Sequence, residues 1–274
     1  MEELINLEKK LNEHIIFVYN NFNTSYNSMI DNELIKEIYL SFKKLQEYKK
    51  INIVLNSTGG NLASGTRLID ILKNMYESYE FTVLDRCHST GTFIALSGDK
   101  LNLSPSALIT SCEPQMDAKD ISISTALIRN ILEHPNEINK ISELLDPIIL
   151  GKYYSTINYF KDLCYRIYSK DKAELIIDFM LNQINSHQYP LSKEELIKMG
   201  INVNLLTGDL LDVYEKLENR FKLLFATEEV NAEKEYKLSF ISDRNQDKVY
   251  VKRYKYEENS KQRIYEGYKV IDRR

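Results

Sequence analysis

The chain has few cysteines and prolines, no tryptophan and no long apolar run. Its 274 residues include three cysteines, five prolines and no tryptophan. Cys87, Cys112 and Cys164 are odd in number, and they have neither the spacing of a metal site nor the density of a secreted disulfide scaffold. No segment approaches the roughly 20 apolar residues that a transmembrane helix needs. We therefore expect reduced thiols, no metal and no membrane association.

The N-terminus and the charge balance indicate which compartment and which kinds of partner to expect. Glu2 and Glu3 stand where a signal peptide needs basic residues followed by an apolar run. The formal net charge of −4 gives no reason to expect nucleic acid as a partner of the whole protein. A hydrophobic content of 43% and a charged content of 28% are typical of a globular chain. We expect a cytoplasmic protein.

Hydrophobic periodicity predicts alternating strands and helices over the first hundred residues. Strands are expected at residues 14–20, 51–55 and 81–87, and helices at residues 31–48 and 61–76. Repeated strand-helix units predict a mostly parallel sheet with helices on its faces, which is an α/β fold. From about residue 121 to residue 199 the pattern is almost wholly helical. One last strand is expected at residues 202–205, followed by a helix at residues 210–225.

The end of the chain has a different pattern. Residues 236–241, 248–256 and 265–271 are rich in tyrosine, valine and isoleucine at near-alternate spacing, with polar turns between them. This pattern predicts a small antiparallel β appendage at residues 231–274 beside a main domain at residues 1–230. Residues 245–274 hold nine Lys and Arg against five Asp and Glu. An acidic partner for the appendage is one interpretation, and ordinary solvated strands explain the same residues.

Two short motifs indicate chemistry. Residues 55–60, Leu-Asn-Ser-Thr-Gly-Gly, follow one predicted strand, and residues 88–92, His-Ser-Thr-Gly-Thr, follow the next. Paired glycines let backbone N–H groups approach a ligand, and a serine between a strand and a helix presents its hydroxyl beside them. Taken alone, Gly-Gly is typical of a turn and Ser89 of a helix cap. Together they indicate an acyl-transfer site.

These motifs resemble those of one family. Residues 53–60, 89–100 and 113–115 resemble, in order and spacing, the T-P-G-G, S-A-G-T-L-I-A-L-A-A-D-E-I and D-P-Q motifs of the serine dehydrogenase proteinase family. Residues 187–191 resemble the family's T-H-D-Y-P-I. The resemblance covers roughly residues 14–206 and implies a Clp/crotonase-like core, peptide or protein substrates and a ring-like homo-oligomer. The chain lacks the G-x-G-x-x-G opening of a dinucleotide site, and we expect no cofactor.

The resemblance also implies residue roles. By its position in the motif, Ser89 would be the nucleophile, and the backbone N–H groups of Gly60 and Thr90 would form the oxyanion hole. Gly59 and Gly91 would belong to the loops around the substrate. One oxyanion donor is typically worth about 3 to 4 kcal/mol in the transition state.

The general base stays open at this point. Aligned with Clp proteases, the histidine falls near Cys112 and the aspartate near Gln188, and neither substitute does the original job. The Clp triad is therefore not intact. Signal-peptide peptidase-like relatives pair serine with a lysine some fifty residues later, which makes Lys140 a candidate, and Lys152 interrupts an apolar stretch where burial would favour a neutral amine. His187 is the third candidate.

Three functions fit these residues. The first is a serine peptidase that forms an acyl-enzyme on Ser89. The second is an inactive Clp-fold scaffold that acts by oligomerisation and partner binding. The third is a crotonase-type enzyme that stabilises a thioester enolate with the same two N–H donors. Because neither motif places an acidic residue as a crotonase base, we predict the peptidase and keep the scaffold as the alternative.

Overall fold

A computed structural model describes residues 2–20, 30–45, 47–118, 121–134, 147–227, 235–257 and 262–272. Its helices are α1 Glu2–Leu11, α2 Asn32–Phe42, α3 Leu62–Met75, α4 Thr90–Ala95, α5 Thr125–Glu133, α6 Pro147–Ile167, α7 Lys170–Asp178, α8 Lys193–Lys198 and α9 Gly208–Thr227, with a π-helical turn at Phe179–Gln183. Its strands are β1 His14–Asn20, β2 Lys50–Asn56, β3 Ser78–Val83, β4 Arg86–Cys87, β5 Lys100–Leu103, β6 Leu108–Ile109, β7 Gln115–Ala118, β8 Ile121–Ser124, β9 Val203–Leu205, β10 Glu235–Asp243, β11 Gln246–Glu257 and β12 Gln262–Asp272.

The main sheet has eight strands in the order β12-β11-β10-β1-β2-β3-β5-β9. The neighbours from β1 to β9 pair in parallel, and β10, β11 and β12 pair antiparallel. Strand β1 is buried along its whole length because both faces of the sheet are covered. The predicted α/β class is confirmed.

The chain divides into two compact units. The first contains residues 1–107 and 203–274 and holds the eight-stranded sheet, and the second contains residues 108–202. The second unit is mostly helical, as predicted, but residues 121–124 form strand β8 and pair with β7. Ile121 and Ile123 alternate with serines there, which is the strand period, and four residues are too few to separate the two periods in the sequence.

The C-terminal strands form where the tyrosine-rich segments predict them, but they do not form a separate appendage. Strand β10 pairs with β1, with Val18 opposite Ile241, and so extends the core sheet. An unpaired β1 would leave a row of backbone donors and acceptors at a buried sheet edge. The predicted boundary at residue 230 therefore falls between two elements of one unit.

One face of this sheet carries the apolar core formed with α1 and α9. Phe17 of β1, Val54 of β2 and Leu84, which follows β3, pack in one cluster with Leu4 of α1 and Phe221 of α9, and all five are buried. The opposite face is covered by helices that include α3, which Asn61 caps by accepting a hydrogen bond from the Ser64 N–H at 2.9 Å.

Candidate active site

Ser89 lies in a strained turn immediately before α4. Its φ of 52° and ψ of −120° are unfavourable for a residue with a side chain. Hydrogen bonds hold the turn: the His88 N–H donates to the Ser57 carbonyl at 2.9 Å, and the Gly91 N–H donates to the His88 carbonyl at 2.9 Å. Ser89 is half-buried. The strain is therefore maintained by its surroundings, as at many functional residues.

The paired glycines lie beside this serine. A Cβ on Gly59 would lie 2.8 Å from the Cβ of Ser89, and a Cβ on Gly60 would lie 2.4 Å from the backbone nitrogen of Ile30. Both glycines also have positive φ, 101° and 147°. Only glycine fits either position, because a side chain would meet both a steric and a conformational barrier.

Two backbone donors in this unit have no acceptor among the described residues. Among the residues that the structure describes, neither the Gly60 N–H nor the Thr90 N–H donates to a backbone or side-chain oxygen. Unpaired donors in a partly buried loop are costly unless water or a ligand binds them. These are the two groups that the resemblance assigns to the oxyanion hole.

Gly91 has a packing role in the structure. It is buried, and a Cβ there would lie 2.8 Å from the Cβ of Ser57 and 3.0 Å from the Sγ of Cys87. Gly91 thus lets α4 approach the end of β2 closely, which joins the two motifs. This differs from the substrate-loop position that the sequence predicts for it.

His187, in the second unit, has a partner that fixes its tautomer. Its Nδ1 lies 2.6 Å from the backbone carbonyl oxygen of Glu113 and 3.5 Å from Glu113 Oε2. A carbonyl only accepts, so Nδ1 carries the proton and Nε2 is the nitrogen with a free lone pair. The Ser111 hydroxyl donates to the backbone oxygen of His187 at 3.0 Å and fixes the turn that carries it.

Glu113 is a buried acid beside His187 that the sequence analysis does not single out as a site residue. It is buried, and its Oε1 accepts hydrogen bonds from the Ser124 hydroxyl at 3.0 Å, the Thr125 hydroxyl at 2.5 Å and the Ala126 N–H at 2.7 Å. Oε2 faces His187 and accepts no hydrogen bond from the described residues. A buried carboxylate beside an imidazole stabilises the imidazolium form. The available signal was the acid of the Glu113-Pro114-Gln115 motif, read together with the histidine of the later one.

Helix α5 connects both partners of this pair. Its N-terminal end supplies the donors to Glu113, and Arg129 donates to the Ile184 carbonyl at 2.9 Å and to Asn185 Oδ1 at 2.5 Å. Arg129 also donates to the Leu181 carbonyl. The segment that leads into His187 is therefore held by the same helix that holds Glu113.

The other candidate bases have different surroundings. Lys152 is exposed on α6, so the burial that would favour a neutral amine is missing there. Lys140 lies outside the described residues. Cys112 is buried. Cys87, a different cysteine beside the serine turn, is also buried, and its burial raises the pKa of its thiol far above the ordinary value. Cys87 is therefore a packing residue and not a second nucleophile.

Metal-binding clusters and membrane-spanning helices are both absent from the described residues. No group of three or more His, Cys, Asp or Glu side chains in that part of the chain is arranged to hold a metal ion. No helix there is long and apolar enough to cross a membrane.

Comparison with known proteins bears on the family and the fold. Residues 22–233 match the profile of the ClpP-like SDH-type serine proteinases. The chain belongs to this family. Membership confirms the Clp-like fold predicted from the motifs and supports a peptidase activity in general terms.

Two individual proteins are similar to this member of the family. An uncharacterized protein of Methanocaldococcus jannaschii is 21% identical over 184 residues, which are 67% of this chain. The match spans 63% of that relative's length. A solved structure of 1510-N, a membrane-bound stomatin-specific protease, as a point mutant with a substrate peptide, is 17% identical. It aligns with a TM-score of 0.44 over 72% of this chain and 77% of that one.

Proposed function

We propose that this chain is a serine peptidase that cleaves peptide bonds through an acyl-enzyme on Ser89. His187 would be the general base, and Glu113 the carboxylate that orients it. The observation that carries the proposal is the strained Ser89 turn beside two N–H groups that no described residue accepts from. A tetrahedral oxyanion needs two such donors, and a nucleophilic serine needs an exposed hydroxyl at a fixed position.

We propose the following mechanism for these groups. Ser89 Oγ attacks the carbonyl carbon of the scissile peptide while its proton passes to Nε2 of His187. The oxyanion accepts hydrogen bonds from the N–H groups of Gly60 and Thr90. Collapse of this intermediate expels the amine, which takes the proton from His187. Water then attacks the acyl-enzyme carbonyl while its proton passes to His187, and the second collapse breaks the ester bond and returns the proton to Ser89 Oγ. Glu113 stabilises the imidazolium formed at each step.

The choice of base is tested by a set of side-chain changes in a fluorogenic peptide assay. His187→Gln is expected to lower kcat/KM by about 10² to 10⁴, because a positioned general base contributes about that factor. Glu113→Gln should lower it by about a hundredfold or more, since an amide does not stabilise the imidazolium. Lys152→Gln is the matched control for loss of an exposed amine and should leave the rate unchanged. A large loss in Lys140→Gln or Lys152→Gln, with His187→Gln active, would instead establish a serine-lysine enzyme.

The remaining expectations concern assembly and partners. We propose a cytoplasmic homo-oligomer that needs no cofactor and acts on peptide or protein substrates, because folds of this class commonly assemble. Light scattering coupled to size-exclusion chromatography tests the oligomer, and a monomeric mass would contradict it.

An acidic partner for the basic C-terminal strands predicts retention of the full chain on heparin, and elution at low salt would count against it.

A further inference from the structure

The two peptide planes on either side of Gly60 are both fixed by hydrogen bonds. The Gly59 carbonyl accepts from the Ile30 N–H at 2.8 Å. A trans peptide is planar, with its carbonyl and N–H pointing in opposite directions. The bond to Ile30 therefore directs the Gly60 N–H, which belongs to the same plane, away from Ile30.

The second plane is fixed from both sides. The Asn61 N–H donates to the Ile30 carbonyl at 2.9 Å, and the Thr90 hydroxyl donates to the Gly60 carbonyl at 2.7 Å. Glycines rotate freely at φ and ψ, so a Gly-Gly pair without such bonds would populate several orientations of the Gly60 N–H. Among the bonds that fix the two planes, the one from Thr90 is made by a side chain.

Thr90 is itself held in the orientation that this bond requires. Its side chain is buried, and its Cγ2 lies 2.7 Å from where a Cβ on Gly65 would be. Gly65 lies inside α3, where glycine is less favourable than alanine. The missing side chain at Gly65 makes room for the Thr90 methyl group, and the packed methyl group leaves the hydroxyl directed at Gly60.

We propose that the Thr90 hydroxyl is a positioning group for the Gly60 loop. By fixing the peptide plane that follows Gly60, it limits rotation about the Gly60 φ and ψ bonds and so holds the preceding plane, which carries the Gly60 N–H, in its donor orientation. Thr90 then supplies one oxyanion donor by its backbone and orients the other by its side chain. The family motif has alanine at this position, so the hydroxyl is a feature of this chain. The inference rests on the proposed function, because its consequence for rate requires an oxyanion at Gly60.

The test compares Thr90→Val, which keeps the shape and removes the hydroxyl, with Thr90→Ser, which keeps the hydroxyl. Complete loss of one oxyanion donor costs about 10² to 10³ in kcat, and a loosened donor should cost less. We expect Thr90→Val to lower kcat by about tenfold to a hundredfold with KM changed by less than about threefold. Thr90→Ser should restore kcat to within about threefold of the natural chain. A Thr90→Val variant with unchanged kcat would overturn the proposal.

Amide hydrogen exchange separates this proposal from the proposed function. In Thr90→Val the amides of Ile30 and Asn61 should exchange faster while the melting temperature stays close to that of the natural chain. If the natural chain hydrolyses no peptide, the proposed function fails and this exchange still decides the positioning role. Unchanged exchange at both amides would contradict it. Should Thr90→Val fail to fold, Gly65→Ala displaces the same hydroxyl from the α3 side and is judged by the same exchange.

Discussion

At the scale of single residues, Gly60 shows how tightly the serine site is built. Gly60→Ala would bring a Cβ to within 2.4 Å of the Ile30 backbone and would keep an L-residue at a φ of 147°. We expect this change to displace the loop and to lower kcat/KM by at least about a hundredfold, since one oxyanion donor is lost. Gly151→Ala is the control, because a Cβ there meets no atom within 4 Å. Equal activities in the fluorogenic peptide assay would show that the Gly60 N–H takes no part.

Glu13 gives a residue-scale prediction for stability. Burial, with the charge of Glu80 second, raises the pKa of the Glu13 carboxyl from 4.5 to about 7. Asn52 donates a hydrogen bond to it, and Lys100 and Lys50 are the cations that act on it. Below pH 4.5 the carboxyl is protonated in both the folded and the unfolded chain. Between pH 4.5 and pH 7 only the unfolded chain loses the proton, so the free energy of unfolding falls as pH rises.

The change Glu13→Gln tests this dependence, because the amide imitates the protonated acid. A pKa shift of this size corresponds to about 3 kcal/mol. We expect Glu13→Gln to raise the free energy of unfolding at pH 8 by up to about 3 kcal/mol, and to change it little at pH 4.5. Urea unfolding at the two pH values measures both. A variant that is less stable than the natural chain at pH 8 would contradict a raised pKa.

The residues of the site differ in how far the sequence predicts them. Ser89, Gly60 and Thr90 are predictable because short local motifs carry them, and the structure places all three in one loop system. Glu113 is different, because its proposed role depends on its contact with His187, which lies 74 residues away in the sequence. A contact of that separation leaves no local pattern, so the residue was visible only as part of a motif.

At the scale of elements, the C-terminal strands show the limit of pattern reasoning. Alternation predicts that β10, β11 and β12 exist, because it records which side chains share a face. It does not specify which edge a strand joins. Strand β10 joins β1, and the two residues that flank the turn between β10 and β11 are buried, with Asp243 and Gln246 both less than 3% exposed.

This turn gives an element-scale prediction. Asp243 Oδ1 accepts from the N–H groups of Asn245 and Gln246, and Oδ2 accepts from Gln246 Nε2 at 2.8 Å. Asp243→Ala should lower the free energy of unfolding by about 2 to 4 kcal/mol, because buried donors lose a charged acceptor. Asn245→Ala, an exposed position in the same turn, is the control and should change it by less than about 1 kcal/mol. Equal effects of the two changes on urea unfolding would show that the turn does not anchor the sheet.

At the scale of the whole molecule, a carboxylate and an imidazole lie beside the two positions that align with the Clp triad. Glu113 follows Cys112, near which the Clp histidine falls, and His187 precedes Gln188, near which the Clp aspartate falls. Cys112 and Gln188, taken alone, therefore suggest that the triad has been lost. In the structure the second unit keeps an imidazole and a carboxylate in contact, and under our proposal they serve Ser89.

The central claim is that Ser89 is an activated nucleophile served by His187. The most direct measurement is the rate of labelling by a fluorophosphonate probe, with the site mapped by mass spectrometry. Our account predicts a single adduct on Ser89, none in Ser89→Ala, and labelling slowed by about a hundredfold or more in His187→Gln. No adduct on the folded natural chain, or an adduct that persists in Ser89→Ala, would contradict the account and would favour an inactive Clp-fold scaffold.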